Sequence, residues 1–145
     1  MILAELNQVN LPRHCRFTKI EIAKLMKIIS KRVSGDRGMV SIVFVCAKEI
    51  RKLNRAYRGK DKETDVLSFL LDKEGTLGEI LICYEVARRQ AFSVGHGVKK
   101  EMIFLIVHGI LHLLGFDHES PVDAKKMFAL QNAILKAAGV KSQAL

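Results

Sequence analysis

Acidic residues are in short supply in this chain: 15 Asp and Glu stand against 24 Lys and Arg, a net charge of +9. That balance favours a polyanionic partner, with RNA or DNA ahead of a membrane surface, although a lysine-rich surface kept for solubility reads the same way. Cysteine is scarce too. Cys15, Cys46 and Cys83 are odd in number, widely scattered and form no Cys-x-x-Cys pair. They read as reduced thiols in a cytoplasmic protein rather than as a disulfide framework. No run of eighteen uncharged apolar residues occurs, so no transmembrane helix is expected. The opening MILAELNQVNLPRH lacks a basic start, a long apolar core and a small-residue cleavage site, and does not read as a signal peptide. Repeats, low-complexity segments and linkers are also missing. With 145 residues, 49% of them hydrophobic, the expectation is one domain over residues 1–145 with a real core.

What is present reads as alternating strands and helices. Residues 2–9 suggest a first strand. Thr18 and Glu21 are spaced as a capping box, Phe17 is placed to staple onto Ile22, and Ile22, Leu25, Met26, Ile29 and Val33 form a helical stripe ending near Ser34-Gly35. Met39 to Cys46 is a β-branched run of strand length. A basic helix follows over Ala47–Tyr57, with Leu53 and Tyr57 four apart and placed to face a core. Thr64–Leu71 and Leu77–Cys83 flank an Asp-Lys-Glu-Gly turn, which predicts an antiparallel hairpin. Tyr84–Val94 reads as a short helix. Val98–Leu114 is apolar nearly all round, which predicts a central, buried helix. Ser120 and Pro121 are cap and first residue of a last helix with Met127, Leu130, Ile134 and Leu135 as its stripe. The tail from Gly139 is expected to fray. The architecture expected is α+β, a small mixed sheet packed on helices.

The chemistry concentrates in Val107–Glu119, VHGILHLLGFDHE. His108 and His112 are one helical turn apart on one face. Gly115 stands where a helix would end and lets the chain bring His118 back toward the pair. Three neutral imidazoles converging on one point suit a single Zn²⁺ with a fourth position open. The bland alternative is a set of hydrogen-bonded core histidines. The spacing His-x-x-x-His-x-x-x-x-x-His is that of the metzincin proteases, whose general base is a Glu directly after the first histidine. Here that position is Gly109, which cannot take a proton.

Other carboxylates are candidates to replace it. Asp117, beside His118, is placed to orient a ligand or act as a base, or simply to cap the turn. Glu79 and Asp65 are further choices that read more readily as structural, and Glu119 and Ser120 as helix-start residues. The stretch Lys48–Lys62 holds seven Lys or Arg in fifteen residues. Arg58, at a helix exit beside Gly59, is the cation best placed to reach a cleft and grip a phosphate with its guanidinium fork; a solvated surface arginine is the other reading.

These residues carry a resemblance. His108 to His118, HGILHLLGFDH, is similar to the signature of the YbeY family of rRNA-processing endoribonucleases, H-G-x-L-H-L-x-G-[FY]-D-H, without a mismatch. Leu53-Asn54-Arg55-Ala56-Tyr57-Arg58, Thr64-Asp65-Val66-Leu67-Ser68-Phe69 and Leu77-Gly78-Glu79-Ile80 resemble further family elements, as do Gln90-Ala91 and Met127-Phe128, over roughly residues 40–135 and in matching order. Glu79 replaces the family's usual aspartate, and Leu70 stands where a proline usually follows. The resemblance implies a zincin-like α+β fold, zinc on His108, His112 and His118, and a catalytic or substrate-binding role for Arg58. It also implies single-strand-specific endoribonuclease activity in 16S rRNA 3′-end maturation and ribosome quality control, with the small ribosomal subunit as partner.

Three functions therefore compete. One is a metal-dependent RNA hydrolase with Arg58 and Asp117 as catalytic residues. The second is a zinc peptidase or other metzincin-like hydrolase, against which Gly109 and the basic balance argue. The third is a ribosome-assembly binding factor whose zinc is structural, closed by a fourth ligand such as Asp117.

Overall fold

In a computed structural model, residues 1–33, 35 and 38–140 are described. The strands are β1 (Ile2–Asn7), β2 (Gly38–Val45), β3 (Val66–Leu70) and β4 (Thr76–Cys83). The helices are α1 (Lys19–Arg32), α2 (Ala47–Arg58), α3 (Tyr84–Val94), α4 (Val98–Leu113) and α5 (Pro121–Ala137). Each expected element exists, with ends that match or move by at most three residues. Ser34, where α1 was expected to end, and most of the expected fraying tail, residues 141–145, lie outside the described residues.

Local chemistry explains the helix starts. Thr18 Oγ1 accepts from the Glu21 backbone N–H and Glu21 Oε1 accepts from the Thr18 N–H, both at 3.1 Å, a complete capping box. Ser120 caps α5 by accepting from the Asp123 N–H at 3.1 Å, and Pro121 fills the first helical position, where no N–H is needed.

The four strands form one mixed sheet in the order β1-β2-β4-β3. β3 and β4 make the expected antiparallel pair, with Ser68 opposite Ile80. β1, β2 and β4 run parallel. The period-2 alternation of β4 sorts its side chains between two cores. Ile80 and Ile82 join the main core with Ile29, Leu105, Ile106 and Ile134, from α1, α4 and α5. Leu81 and Cys83 join a smaller cluster with Ile50 of α2 and Leu67 of β3. α4 packs against β3, β4, α3 and α5, and Met102, Leu105, Ile106, Val107, Ile110 and Leu111 are all buried. The apolar helix is thus central, as its composition predicts, and it carries the histidines.

One expectation fails. Leu53 of α2 reaches the smaller cluster, but Tyr57 is 69% exposed. Its ring rests instead against Phe69 of the edge strand β3, with centroids 5.2 Å apart and planes at 63°.

Candidate metal centre and its cleft

His108 and His112 lie on consecutive turns of α4, with their Nε2 atoms 3.0 Å apart. The chain then leaves the helix through two bonds, the Gly115 N–H to His112 O and the Phe116 N–H to Leu111 O, each 3.0 Å. Gly115 has φ +94°, a left-handed conformation that a side chain resists, and this turn returns His118 to the pair. One ligand atom from each of the three rings falls within 4.8 Å of the others. Two nitrogens bound to one tetrahedral ion at about 2.0–2.1 Å stand roughly 3.3 Å apart, so the donor set fits a zinc ion without rearrangement of α4.

The rings are held from behind. Gln131 of α5, buried, places Oε1 2.9 Å from His108 Nδ1. An amide oxygen only accepts, so Nδ1 carries the proton and the Nε2 lone pair faces the other ligands. Phe104 stacks on His108 at 6.1 Å, and Phe128 on His118 at 6.5 Å with planes 7° apart. Burial holds His108 below the usual imidazole range, against opposite pulls from the Gln131 hydrogen bond and the Asp65 charge. Burial, followed by the neighbouring His108 and His118, does the same to His112. Both are therefore neutral, as ligation requires.

The histidines open into a cleft of about 790 Å³ that Arg58, Asp65, Phe69 and Asp117 also line. Arg58 is the last residue of α2, and Gly59 ends the helix after it. Asp117 Oδ1 accepts from the His118 N–H at 2.6 Å and the Glu119 N–H at 3.1 Å, so one carboxylate oxygen shapes the turn that presents His118. Asp65 accepts from the Val66 N–H at 2.8 Å and from Gln90 Nε2 at 3.3 Å, which ties it to the start of β3 and to α3. Glu79 is not brought to the site. It alternates with Ile80 and so lies on the sheet face away from α4. Gly109 does not face the cleft either. A Cβ there would meet Ile80 Cδ1 and Cγ2 at 3.0 Å, so the glycine lets α4 approach β4.

Sequence reasoning missed Gln131 and the stacking role of Phe128. A signal for the first existed: Met127, Gln131, Ile134 and Leu135 share one buried stripe of α5, and a polar residue inside such a stripe needs a partner.

Comparison with known proteins agrees with this arrangement. The family model described as Endoribonuclease YbeY matches residues 8–139. The chain belongs to the YbeY endoribonuclease family. A Staphylococcus saprophyticus relative named Endoribonuclease YbeY is 39% identical over 145 residues, covering 92% of this chain and 94% of its own. A Staphylococcus aureus relative of the same name is 44% identical over 117 residues, 72% of this chain and 76% of its own. Among solved structures, the solution structure of TM1509 from Thermotoga maritima superposes with a TM-score of 0.60 at 31% identity, covering 94% of this chain and 91% of that one. No helix of the described residues is long and apolar enough to cross a membrane.

Proposed function

We propose that this chain is a single-domain, zinc-dependent endoribonuclease that cuts single-stranded RNA, and that it acts in the cytoplasm on the 3′ end of 16S rRNA in the small ribosomal subunit and in ribosome quality control. The observation that carries the reading is the convergence of three imidazoles in one cleft with Arg58 on its wall, in a chain of net charge +9 that belongs to this family. The motif resemblance supports the ribosomal substrate.

His108, His112 and His118 would hold the metal, with Gln131 fixing the first ring. When bound, a zinc ion supplies Lewis-acid stabilisation of charge on a phosphoryl oxygen. Arg58 binds the scissile phosphate and offsets the negative charge that builds on its non-bridging oxygens. Asp117 has one oxygen committed to the turn and a second to accept the proton of the attacking hydroxyl. A cyclic phosphate product identifies the RNA 2′-hydroxyl as that nucleophile; a linear one identifies water.

The test is cleavage of ribosomal RNA by rigorously purified protein, with and without a chelator, beside His112→Ala prepared identically. Cutting that both the chelator and the substitution abolish is the expected result. Equal cutting by all samples reports a contaminant, and no cutting by any transfers the reading to a zinc-containing binding factor.

A further inference from the structure

The mechanism uses Arg58 but leaves unexplained the rest of the face of α2 that leads to it. Lys48, Arg51, Lys52, Arg55 and Arg58 are all exposed. At about 100° per residue they fall within roughly 120° of the helix circumference and run about 15 Å along its axis. Arg51 is paired with Asp61 at 2.9 Å. Among the described residues, no carboxylate comes within ion-pair distance of Lys48, Lys52, Arg55 or Arg58. A line of unpaired cations on one helix face repels itself, and a chain of phosphates relieves that repulsion.

The stripe ends at Arg58, and the aromatic before it in sequence projects about 100° further round the helix, toward β3. Tyr57 keeps 69% of its surface in solvent although its ring is braced against Phe69, and Phe69 and the exposed Leu70 line the same cleft as the histidines. Cations in a row with an open, braced ring at the mouth of the site is the combination that holds single strands: charge follows the backbone, and a ring stacks on an unpaired base. A duplex keeps its bases stacked on one another and offers the ring nothing.

We propose that the outer face of α2 is the docking track for single-stranded RNA, with Lys48, Lys52 and Arg55 on the phosphates, and that the strand turns round the Arg58 end of the helix so that Tyr57, on the sheet-facing side, stacks on a base next to the scissile bond. The inference rests on the endoribonuclease reading and states where its substrate lies and what selects single strands.

The chain has no tryptophan and two tyrosines, Tyr57 and Tyr84. In a Tyr84→Phe, His112→Ala protein, all indole-free emission comes from Tyr57 and any cutting is suppressed. A short oligoribonucleotide of mixed sequence should quench that emission, and the matching duplex should not. Tyr57→Ala should weaken single-strand binding about tenfold, while Tyr57→Phe, which keeps a stacking ring, stays near the parent. Changing Lys48, Lys52 and Arg55 together to Gln should flatten the slope of log K against log salt by about 2, at roughly 0.7 per lost phosphate contact. The same change at Lys24, Lys27 and Lys31 of α1, which do not line the cleft, should leave the slope alone. Unquenched emission with Tyr57→Ala binding like the parent, or equal flattening by both triple variants, overturns the track. The expected binding pattern in a protein whose wild type never cuts RNA overturns the hydrolase reading and leaves the track standing.

Discussion

Gln131 Oε1 and His108 Nδ1 are 2.9 Å apart, and this contact joins α5 to the metal-facing helix. Gln131 is 1% exposed, so solvent does not compete with His108 for its oxygen. The bond fixes the ring orientation and the tautomer together. Gln131→Leu leaves Nδ1–H without its acceptor and frees the ring to turn. Zinc affinity should fall about 10- to 100-fold, the usual cost of losing an outer-shell partner. Competition titration against a chelator measures it, and Gln131→Glu, which keeps an acceptor, should recover most of the loss. Unchanged affinity in Gln131→Leu would show that packing alone orients His108.

Arg58 and Asp117 should separate binding from proton transfer. Arg58→Lys keeps the charge but loses the fork that grips two phosphate oxygens. Cleavage should fall about 100-fold or more, as when one charge-stabilising donor is removed, with zinc binding intact. Asp117→Asn retains an oxygen for the two backbone N–H groups and removes only the base. Its cleavage should likewise drop about 100-fold, and the loss should be in kcat. An Asp117→Asn enzyme with full activity would reduce Asp117 to a turn cap.

The helix α1 tests the electrostatics of the scaffold. Glu21 completes the capping box and also accepts from Lys99 Nζ of α4 at 2.7 Å. The Lys99 hydrogen bond, then that to Thr18, holds its carboxyl below the ordinary value of 4.5. The folded state therefore binds this proton less readily than the unfolded state. The stabilisation is complete above about pH 4.5 and is lost as pH falls through the lower folded value. Glu21→Gln keeps the capping acceptor but removes the charge. It should cost about 0.5 kcal/mol at neutral pH, given the exposure of the pair, and should make the acid limb of the stability curve shallower. Urea midpoints at pH 7 and at pH 3.5 check both; an equal deficit at the two pH values would sink the assignment.

How far the sequence discloses this molecule depends on the distance between the residues involved. The candidate ligands His108, His112 and His118 span eleven residues, so helical spacing and one glycine suffice to bring them together. The Thr18–Glu21 cap and the β3–β4 hairpin are local in the same sense. The parallel pairing of β1 with β2 and of β2 with β4 is not local, and nothing in those runs of Val and Ile names a partner. Gln131 comes to His108 from 23 residues downstream. Tyr57 has the spacing of a core residue, but it reaches the edge strand β3, where burial runs out. Glu79 pairs with the site-lining Phe69 across the sheet and yet does not line the cleft, because it lies one strand further in, on the face opposite α4. That face is legible only once the neighbouring Ile80 is known to face α4.

Gly109 decides between hydrolase classes by packing as well as by chemistry. Its missing Cβ would stand 3.0 Å from both Cδ1 and Cγ2 of Ile80, which is wholly buried. Gly109→Ala gains about 1 kcal/mol of helix propensity. It also overfills a helix–sheet contact, at about 1–3 kcal/mol. The net expectation is a loss of about 1 kcal/mol with zinc binding preserved, since the methyl group points at β4 and not at the cleft. Adding Ile80→Val removes the Cδ1 in conflict and should return part of the loss, a coupling that a double-mutant cycle reads directly. Gly109→Glu restores the residue type of a metzincin base but aims it into the sheet, where a carboxylate finds no partner. It should fail to fold to a soluble protein and should gain no peptidase activity. A folded Gly109→Glu protein that cleaves unstructured polypeptide would show that α4 can rotate to present this position to the metal, and would overturn the packing argument.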